Sequence, residues 1–384
     1  MYFIYLLLKL ALTATDKYHM DTRKSYAYRI GMFSFFFLFP FWLQAQTLEI
    51  REFYNSIRSQ GMGGASIAVT NDETSLLSNP AGLGKLRDSF GTLIDPELEA
   101  SARAQQFYGK DPFSQPTSLK DVAPAVVKWP DKYFHSKQQL FPSYVVRNFG
   151  IGILSKKTLD LYNDPATSKI QTFYQDDLAL VLGYNFRFWD GRIKLGFNGK
   201  IVNRIEFIDP AVDPTGDLSM SGNASEGTGF GYDAGLILSA PWATLPTISI
   251  LAHDIGGMKF NAASGLRMTS LTQPADVLGD YDAAIAFFPI HGSKQRSTLT
   301  FEYQKIKEAA TYTDKTKFYH IGYEFNLADL LFFRMGMNQK YWTAGAEFAS
   351  EHIQMQISSY GEDIGLDGAS KEDRRVAVKF SFRY

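Results

Sequence analysis

Strict two-residue alternation over long stretches constrains this chain more than any other feature. Between residues 177 and 188, Leu178, Leu180, Leu182, Tyr184, Phe186 and Phe188 share one parity, while Asp177, Asn185 and Arg187 share the other. A period of two is the side-chain period of a strand, so this run has one apolar and one polar face. Asp190-Gly191 follows, a hairpin signal because both residues tolerate positive φ. The next run, 192–204, sets Ile193, Leu195, Phe197 and Ile201 against Lys194, Asn198, Lys200 and Arg204. The final run, 373–384, sets Val376, Val378, Phe380, Phe382 and Tyr384 against Lys379, Ser381 and Arg383.

Weaker runs of the same kind lie at 228–239, 246–254, 280–288, 296–304, 317–326, 331–338, 341–349 and 352–361. Another covers 89–100, and a pair covers 142–149 and 150–158. The total is about 14 strands, and even numbers of strands about ten residues long are what outer-membrane barrels use. A soluble sandwich also alternates, turning its charged face to bulk water. Here the apolar faces are long, aromatic at their ends and present in almost every strand. The 31 Phe and 21 Tyr, with aromatics at 15% in all, suit strands that face lipid between aromatic girdles. The expected fold is therefore an all-β, transmembrane antiparallel β-barrel of about 14 strands with an N-terminal hatch or plug segment.

The N-terminal region supplies a second reason for that choice. From Met20 the chain reads MDTRKSYAYRIGMFSFFFLFPFWLQAQ: basic Arg23, Lys24 and Arg29, a short apolar run from Ile30 to Leu43, then small Ala45. This is the pattern of an export signal. Residues 1–45 are expected to be a signal peptide, with the start at Met20 and the mature chain beginning at Gln46. The apolar run is too short for a membrane-spanning helix, which needs about 20 residues. There is no cysteine, which excludes disulfides, thiolate catalysis and Cys-based metal sites. A formal net charge of -1 gives no reason to expect nucleic acid.

No enzyme is expected, and neither a cofactor nor a metal. His19, His135, His253, His291, His320 and His352 are scattered, without metal spacing. His253-Asp254 reads as a lone surface or loop pair. Gly227-Thr228-Gly229-Phe230-Gly231 imitates part of a dinucleotide motif, but no strand–turn–helix unit surrounds it. It reads as a strand with room for a close neighbour.

Two regions break the alternation. Residues 61–86 read GMGGASIAVTNDETSLLSNPAGLGKL, rich in glycine, with a turn at Asn79-Pro80. Residues 101–140 carry several prolines and are expected to form a partly helical insertion. Phe107, Phe113, Trp129 and Phe134 there could take part in holding an apolar ligand. Long polar connections near 209–227 and 255–279 are expected to be extracellular loops.

The stretch RSQGMGGASIAVTNDETSLLSNPAGLGKL resembles the start of the FadL-type outer-membrane transporters and their relatives, including barrel proteins of type IX secretion. The match is carried by the glycine-rich segment and by Asn79, Pro80 and Ala81. FFRMGMNQKYWTAGAEF and the closing RRVAVKFSFRY resemble the family's last strands. The resemblance implies that residues 46–88 form a hatch inside a barrel of residues 89–384, with Gly61, Gly63, Gly64, Asn79, Pro80 and Ala81 as gating residues. It also implies transport of small hydrophobic compounds such as fatty acids across a bacterial outer membrane. The alternative is a plugged structural barrel that anchors or shuttles surface or secreted proteins.

Strand parity puts Asp177, Arg187, Lys194, Lys200, Arg204, Asp233, Glu302, His320, Glu324, Arg334 and Glu347 in the lumen, as a polar network or a wet channel. Phe380, Phe382 and Tyr384 are similar to the terminal signal that the barrel-assembly machinery recognises by strand addition. Expected partners are that machinery, outer-membrane lipids and a hydrophobic small-molecule ligand, with the barrel a monomer.

Overall fold

The computed structural model describes residues 49–383, apart from 104–122, 124–125, 131, 166, 214–223, 263–265 and 269–271. The expected signal peptide and Tyr384 therefore lie outside the described residues. Within them, fourteen antiparallel strands form one closed sheet. Strand β1 has two pieces, Phe90–Ile94 and Glu97–Ser101, and β2 has two, Tyr133–Leu140 and Ser143–Val146. Then come β3 (Phe149–Asp164), β4 (Lys169–Phe188), β5 (Ile193–Val212) and β6 (Ser225–Ser239). Strand β7 is Thr247–His253 with a detached piece, Phe260–Ala262. Asp280–Phe287 is β8, extended past a break by Ile290–Gly292, and Gln295–Tyr303 is β9. The last five are β10 (Tyr319–Leu327), β11 (Leu331–Asn338), β12 (Tyr341–Ala349), β13 (Ile353–Asp363) and β14 (Glu372–Arg383).

Each strand pairs with the next, and β14 returns to β1 through Arg375↔Ser101, Lys379↔Glu97 and Thr92↔Arg383. Closure leaves no free edge, which a lipid-facing sheet requires. The alternation read from sequence is realised as wall geometry. Leu178, Leu180, Leu182, Tyr184, Phe186 and Phe188 are all exposed on the outer surface, while Asp177 and Asn185 are buried inside. The apolar band is bounded by aromatic residues. Phe188, Trp189, Trp242, Phe333 and Phe348 lie toward one end, and Phe230, Tyr232, Tyr281, Tyr319 and Trp342 toward the other. No described helix is long and apolar enough to cross a membrane.

The two ends differ. At one, the connections are short (147–148, 189–192, 328–330 and 350–352 among them), and both β1 and β14 have their termini there. The other carries the long connections 102–132, 213–224, 254–279 and 304–318. Outer-membrane barrels show this asymmetry, with the short turns on the periplasmic side. At 189–192, Trp189, Asp190 and Gly191 all take positive φ, so the turn is built where Asp190-Gly191 placed it.

Two readings of the sequence need correction. The insertion expected over 101–140 ends at 132, because Tyr133–Leu140 is a strand paired with Glu97–Ala100 and Ser155–Tyr162. Its alternation is hidden because both faces are covered. His135, Lys137 and Gln139 meet Glu97, Glu99 and Asp160 in the lumen. On the other face Phe134 packs with Leu161, Ile170, Ala123 and Val126, so it never touches lipid. The strand expected over 246–254 is present as Thr247–His253, but the connection expected over 255–279 is not all loop, since it carries the piece Phe260–Ala262. Asp254, Gly256 and Gly257 take positive φ, and the chain bulges before rejoining β6 at Phe260↔Gly229.

Candidate functional site

Residues 49–88 occupy the lumen. The thread begins near the long-loop end, where Arg375 donates to both Glu49 carboxylate oxygens at 2.8 and 2.9 Å and Tyr133 donates to one at 3.0 Å. Arg51 pairs with Asp160 at 2.6 Å, and Lys156 Nζ donates to the carbonyls of Glu52 and Phe53. A short helix α1 (Ile57–Gly61) follows, capped by the Ser56 hydroxyl, which accepts from Ser59 N–H at 3.2 Å. The chain then turns at Gly63 and Gly64 and forms helix α2 (Ser75–Ser78) and a 3-10 turn, Pro80–Lys85. It leaves at the short-turn end into β1.

The glycines expected to gate make backbone-to-backbone contacts with the wall. Gly63 has φ +70, and a side chain there would collide with the carbonyls of Ile321 and Met337. Facing it, the lumen positions of β10, β11 and β12 are also glycine: Gly322, Gly336 and Gly345. The wall is stripped of side chains where the plug docks. Thr343 bridges the contact, accepting from Gly63 N–H and donating to Gly61 O, both at 3.0 Å. His320 donates from Nδ1 to Gly63 O at 2.8 Å. A second seat receives Pro80 and Ala81, where a Cβ on Gly196 would strike the Pro80–Ala81 peptide.

Asn79, fully buried, ties three pieces together. Its Oδ1 accepts from Ala81 N–H at 3.0 Å, capping the 3-10 turn. Its Nδ2 donates to Ile67 O at 2.7 Å and to Ser249 Oγ on β7 at 2.9 Å. Pro80 supplies a fixed φ at the first position of that turn.

The charges assigned to the lumen by parity fall into separate groups. Arg204 clasps Asp177 through two bonds of 2.7 and 2.9 Å. Lys200 lies between Asp233 and Asp254 at 3.0 and 2.9 Å. Arg334 bridges Glu324 and Glu347, and Arg58 of the plug adds a bond to Glu324 at 2.8 Å. Glu302 accepts from the plug backbone, Ser66 N–H at 2.7 Å and Ile67 N–H at 3.0 Å. Lys194 is buried but donates to Gly191 O rather than to an acid. Arg187 has the right parity yet is exposed, because it sits at the last turn of the wall, beside Gly191, where the lumen opens to solvent. It does not join the network.

A further charge group was not foreseen. His135 is held between Asp160 at 2.6 Å and Glu99 at 2.9 Å. Glu49, His135 and Asp160 bring their ligand-type atoms within 4.8 Å of one another. Both ring nitrogens and the Glu49 carboxylate are already committed, so these groups hold one another as an ion network that fixes the thread. His253 and Asp254, read as a surface pair, face inward: His253 meets Asp282 at 2.5 Å, and Asp254 meets Lys200.

Beside the break in β7 is a cavity of about 940 Å³ between plug and wall. Its apolar side is Phe53, Tyr54, Leu77, Met258 and Val277. Between Asp233 and Phe230 the regular pairing is interrupted, since β7 pairs with β6 only at 234–239 and 227–229, and a backbone bond from Ile255 N–H to Tyr232 O at 2.8 Å spans the interval. Phe230 and Tyr232 flank the gap on the outer surface, and Leu278, 85% exposed, stands at the cavity's rim. Of the aromatics expected to hold an apolar ligand, Phe134 is buried elsewhere and Trp129 is exposed, while Phe107 and Phe113 lie outside the described residues. Gly227 and Gly229 do have a close neighbour, the detached piece of β7.

No family model and no curated protein sequence matches this chain. Solved structures do. The CymD monoaromatic hydrocarbon channel matches with a TM-score of 0.51 at 10% identity, over 86% of this chain and 97% of the channel. The Pseudomonas putida toluene transporter TodX matches with a TM-score of 0.51 at 12% identity, over 88% of this chain and 99% of the transporter. The expected barrel fold is shared with both nearly end to end.

Proposed function

We propose that this barrel, built on the fold of the FadL-type channels, resides in a bacterial outer membrane and passes small hydrophobic compounds inward. The observation that carries the proposal is the half-apolar cavity of about 940 Å³ between the thread and the broken strand β7. A compound entering from the long loops or through the gap beside Phe230 and Tyr232 reaches Met258 and Val277 without crossing the charged lumen. Burial there is favourable by about 25 cal/mol per Å² of apolar surface. Onward passage requires the plug to shift, since residues 56–86 pack against the lumen face of the wall, at Gly336, Gly345 and Gly196 among others. The hinge would be the glycine turn at Gly63 and Gly64, and the catch would be Asn79.

Whole-cell uptake of a labelled medium-chain alkane at limiting concentration tests this. A deletion strain should lose uptake, the intact gene should restore it, and Met258→Trp, which pushes an indole into the apolar side of the cavity beside Val277, should not. Uptake in the deletion strain equal to wild type would count against the proposal.

One observation favours the structural alternative, a plugged barrel that anchors or shuttles surface proteins. The thread is fastened at Glu49, Arg51 and Arg58 by buried ion pairs. A stoichiometric protein partner recovered with the barrel would support it.

A further inference from the structure

The cavity beside β7 has a polar end, and the partners there are not balanced. Every cation deep in the lining is already engaged. Lys200 is shared by Asp233 and Asp254, Arg204 is clasped by Asp177, and Arg51 is bound to Asp160. Lys305 donates to the Arg51 carbonyl at 2.6 Å and lies 3.2 Å from Glu308. At the rim, Lys307 donates to Gly279 O.

The acids are mostly engaged as well. Asp282 is paired with His253 and accepts from Lys305 N–H at 2.7 Å, and Glu302 holds the plug backbone. Glu52 is the exception. It lines the cavity from the thread, adjoining Phe53 and Tyr54, and its carboxylate has neither a hydrogen bond nor an ion pair among the described residues. Burial, reinforced by the nearby Asp282 charge, pushes it up to about 7. Arg51 Nε and the Tyr54 hydroxyl also lack partners but are closed off from the cavity, and Lys307, bonded only to the Gly279 carbonyl, lies at the exposed rim. Among the described residues deep in the cavity, the open group is therefore the Glu52 acceptor.

Resting on the reading of this cavity as the passage site, we propose that it selects amphiphiles carrying a basic nitrogen on an apolar body, with Glu52 as the counter-ion. The apolar body lies against Phe53, Leu77, Met258 and Val277, and the ammonium group reaches the Glu52 carboxylate. A carboxylate head there would meet the like charges of Glu52 and Asp282, with Lys200, Arg204 and Lys305 already engaged, which is the costly arrangement. An alcohol falls between, donating one neutral hydrogen bond.

Calorimetry on the full barrel in lipid nanodiscs, with empty nanodiscs subtracted, tests this using octylamine, octanol and octanoate at about pH 8. Octylamine should bind at least about tenfold more tightly than octanoate, the effect of one charge-assisted hydrogen bond. Glu52→Gln should cut octylamine affinity by about tenfold and leave octanol unchanged, while Glu52→Asp should keep the preference. Octanoate binding as tightly as octylamine would overturn the inference, and so would a preference that survives Glu52→Gln. Octanol binding in those cases would leave the transport reading standing. No binding of any of the three would overturn that reading and the inference with it.

Discussion

Replacing Asn79 with Ala should loosen the plug without unfolding the barrel. The substitution removes three buried hydrogen bonds, two from Nδ2 and one to Oδ1. Ser249 Oγ still donates to Ile67 O at 3.1 Å, so that carbonyl keeps a partner. Ala81 N–H loses its only acceptor, and loss of a cap together with one unsatisfied buried donor costs about 2–4 kcal/mol. The strand ladders are untouched, so the cost falls on residues 66–82. If those amides exchange by local opening, they should exchange about 30- to 800-fold faster, since each 1.4 kcal/mol is a factor of ten. Hydrogen exchange read by mass spectrometry on the barrel in nanodiscs gives this directly, and conductance across a planar bilayer should rise in parallel. Unchanged protection of residues 66–82, with Ala at 79, would refute the assignment of Asn79 as the catch.

Arg334→Met leaves Glu324 and Glu347 without the cation between them. It should cost about 3–5 kcal/mol by stranding buried charge, and the double variant Arg334→Met with Glu347→Leu should recover part of that in a denaturant titration of the folded band. The thread should be less protected at alkaline pH. Glu52 is raised to about 7 in the folded barrel, so its contribution is complete below the unfolded carboxylate range and is lost as pH rises through about 7. Asp282, His253, Lys305 and Lys156 face it from the wall and the loop after β9. The protection of residues 50–55, taken relative to the intrinsic exchange rate at each pH, should therefore fall between about pH 4 and 7, and Glu52→Gln should flatten that profile; a fall in protection surviving that change would contradict the assignment. Glu49 is lowered by Arg375 and Arg51, so it stays ionised across that window and adds no slope. Deleting Tyr384 should reduce the amount of folded barrel in the membrane more than it reduces uptake per folded barrel, measured by heat-modifiable mobility beside the uptake assay.

The wall was legible because lipid imposes its own pattern. Wherever a strand has lipid outside and plug or water inside, as at Leu178–Phe188, parity alone gives the side each residue faces. It failed at Tyr133–Leu140, where a loop replaces lipid as the outer neighbour. Of the charges that parity assigns to the lumen, all but Arg187 are buried; that exception arises because parity carries no information about height along the barrel axis. The plug seats were missed although a signal existed: Gly322, Gly336 and Gly345 occupy lumen parity in three consecutive strands, a coincidence that marks where another backbone must fit. The cavity could not be read. It depends on the break at Asp254, Gly256 and Gly257, which in sequence looks like the start of an ordinary loop, and on Glu52 arriving from a thread about 200 residues away.

Native mass spectrometry of the barrel, extracted gently from its own membrane, tests the central claim most directly. The account predicts a bound small amphiphile of defined mass, retained by the wild-type protein and lost from Met258→Trp. A bare barrel, or one carrying a stoichiometric protein partner in place of a small molecule, would contradict it.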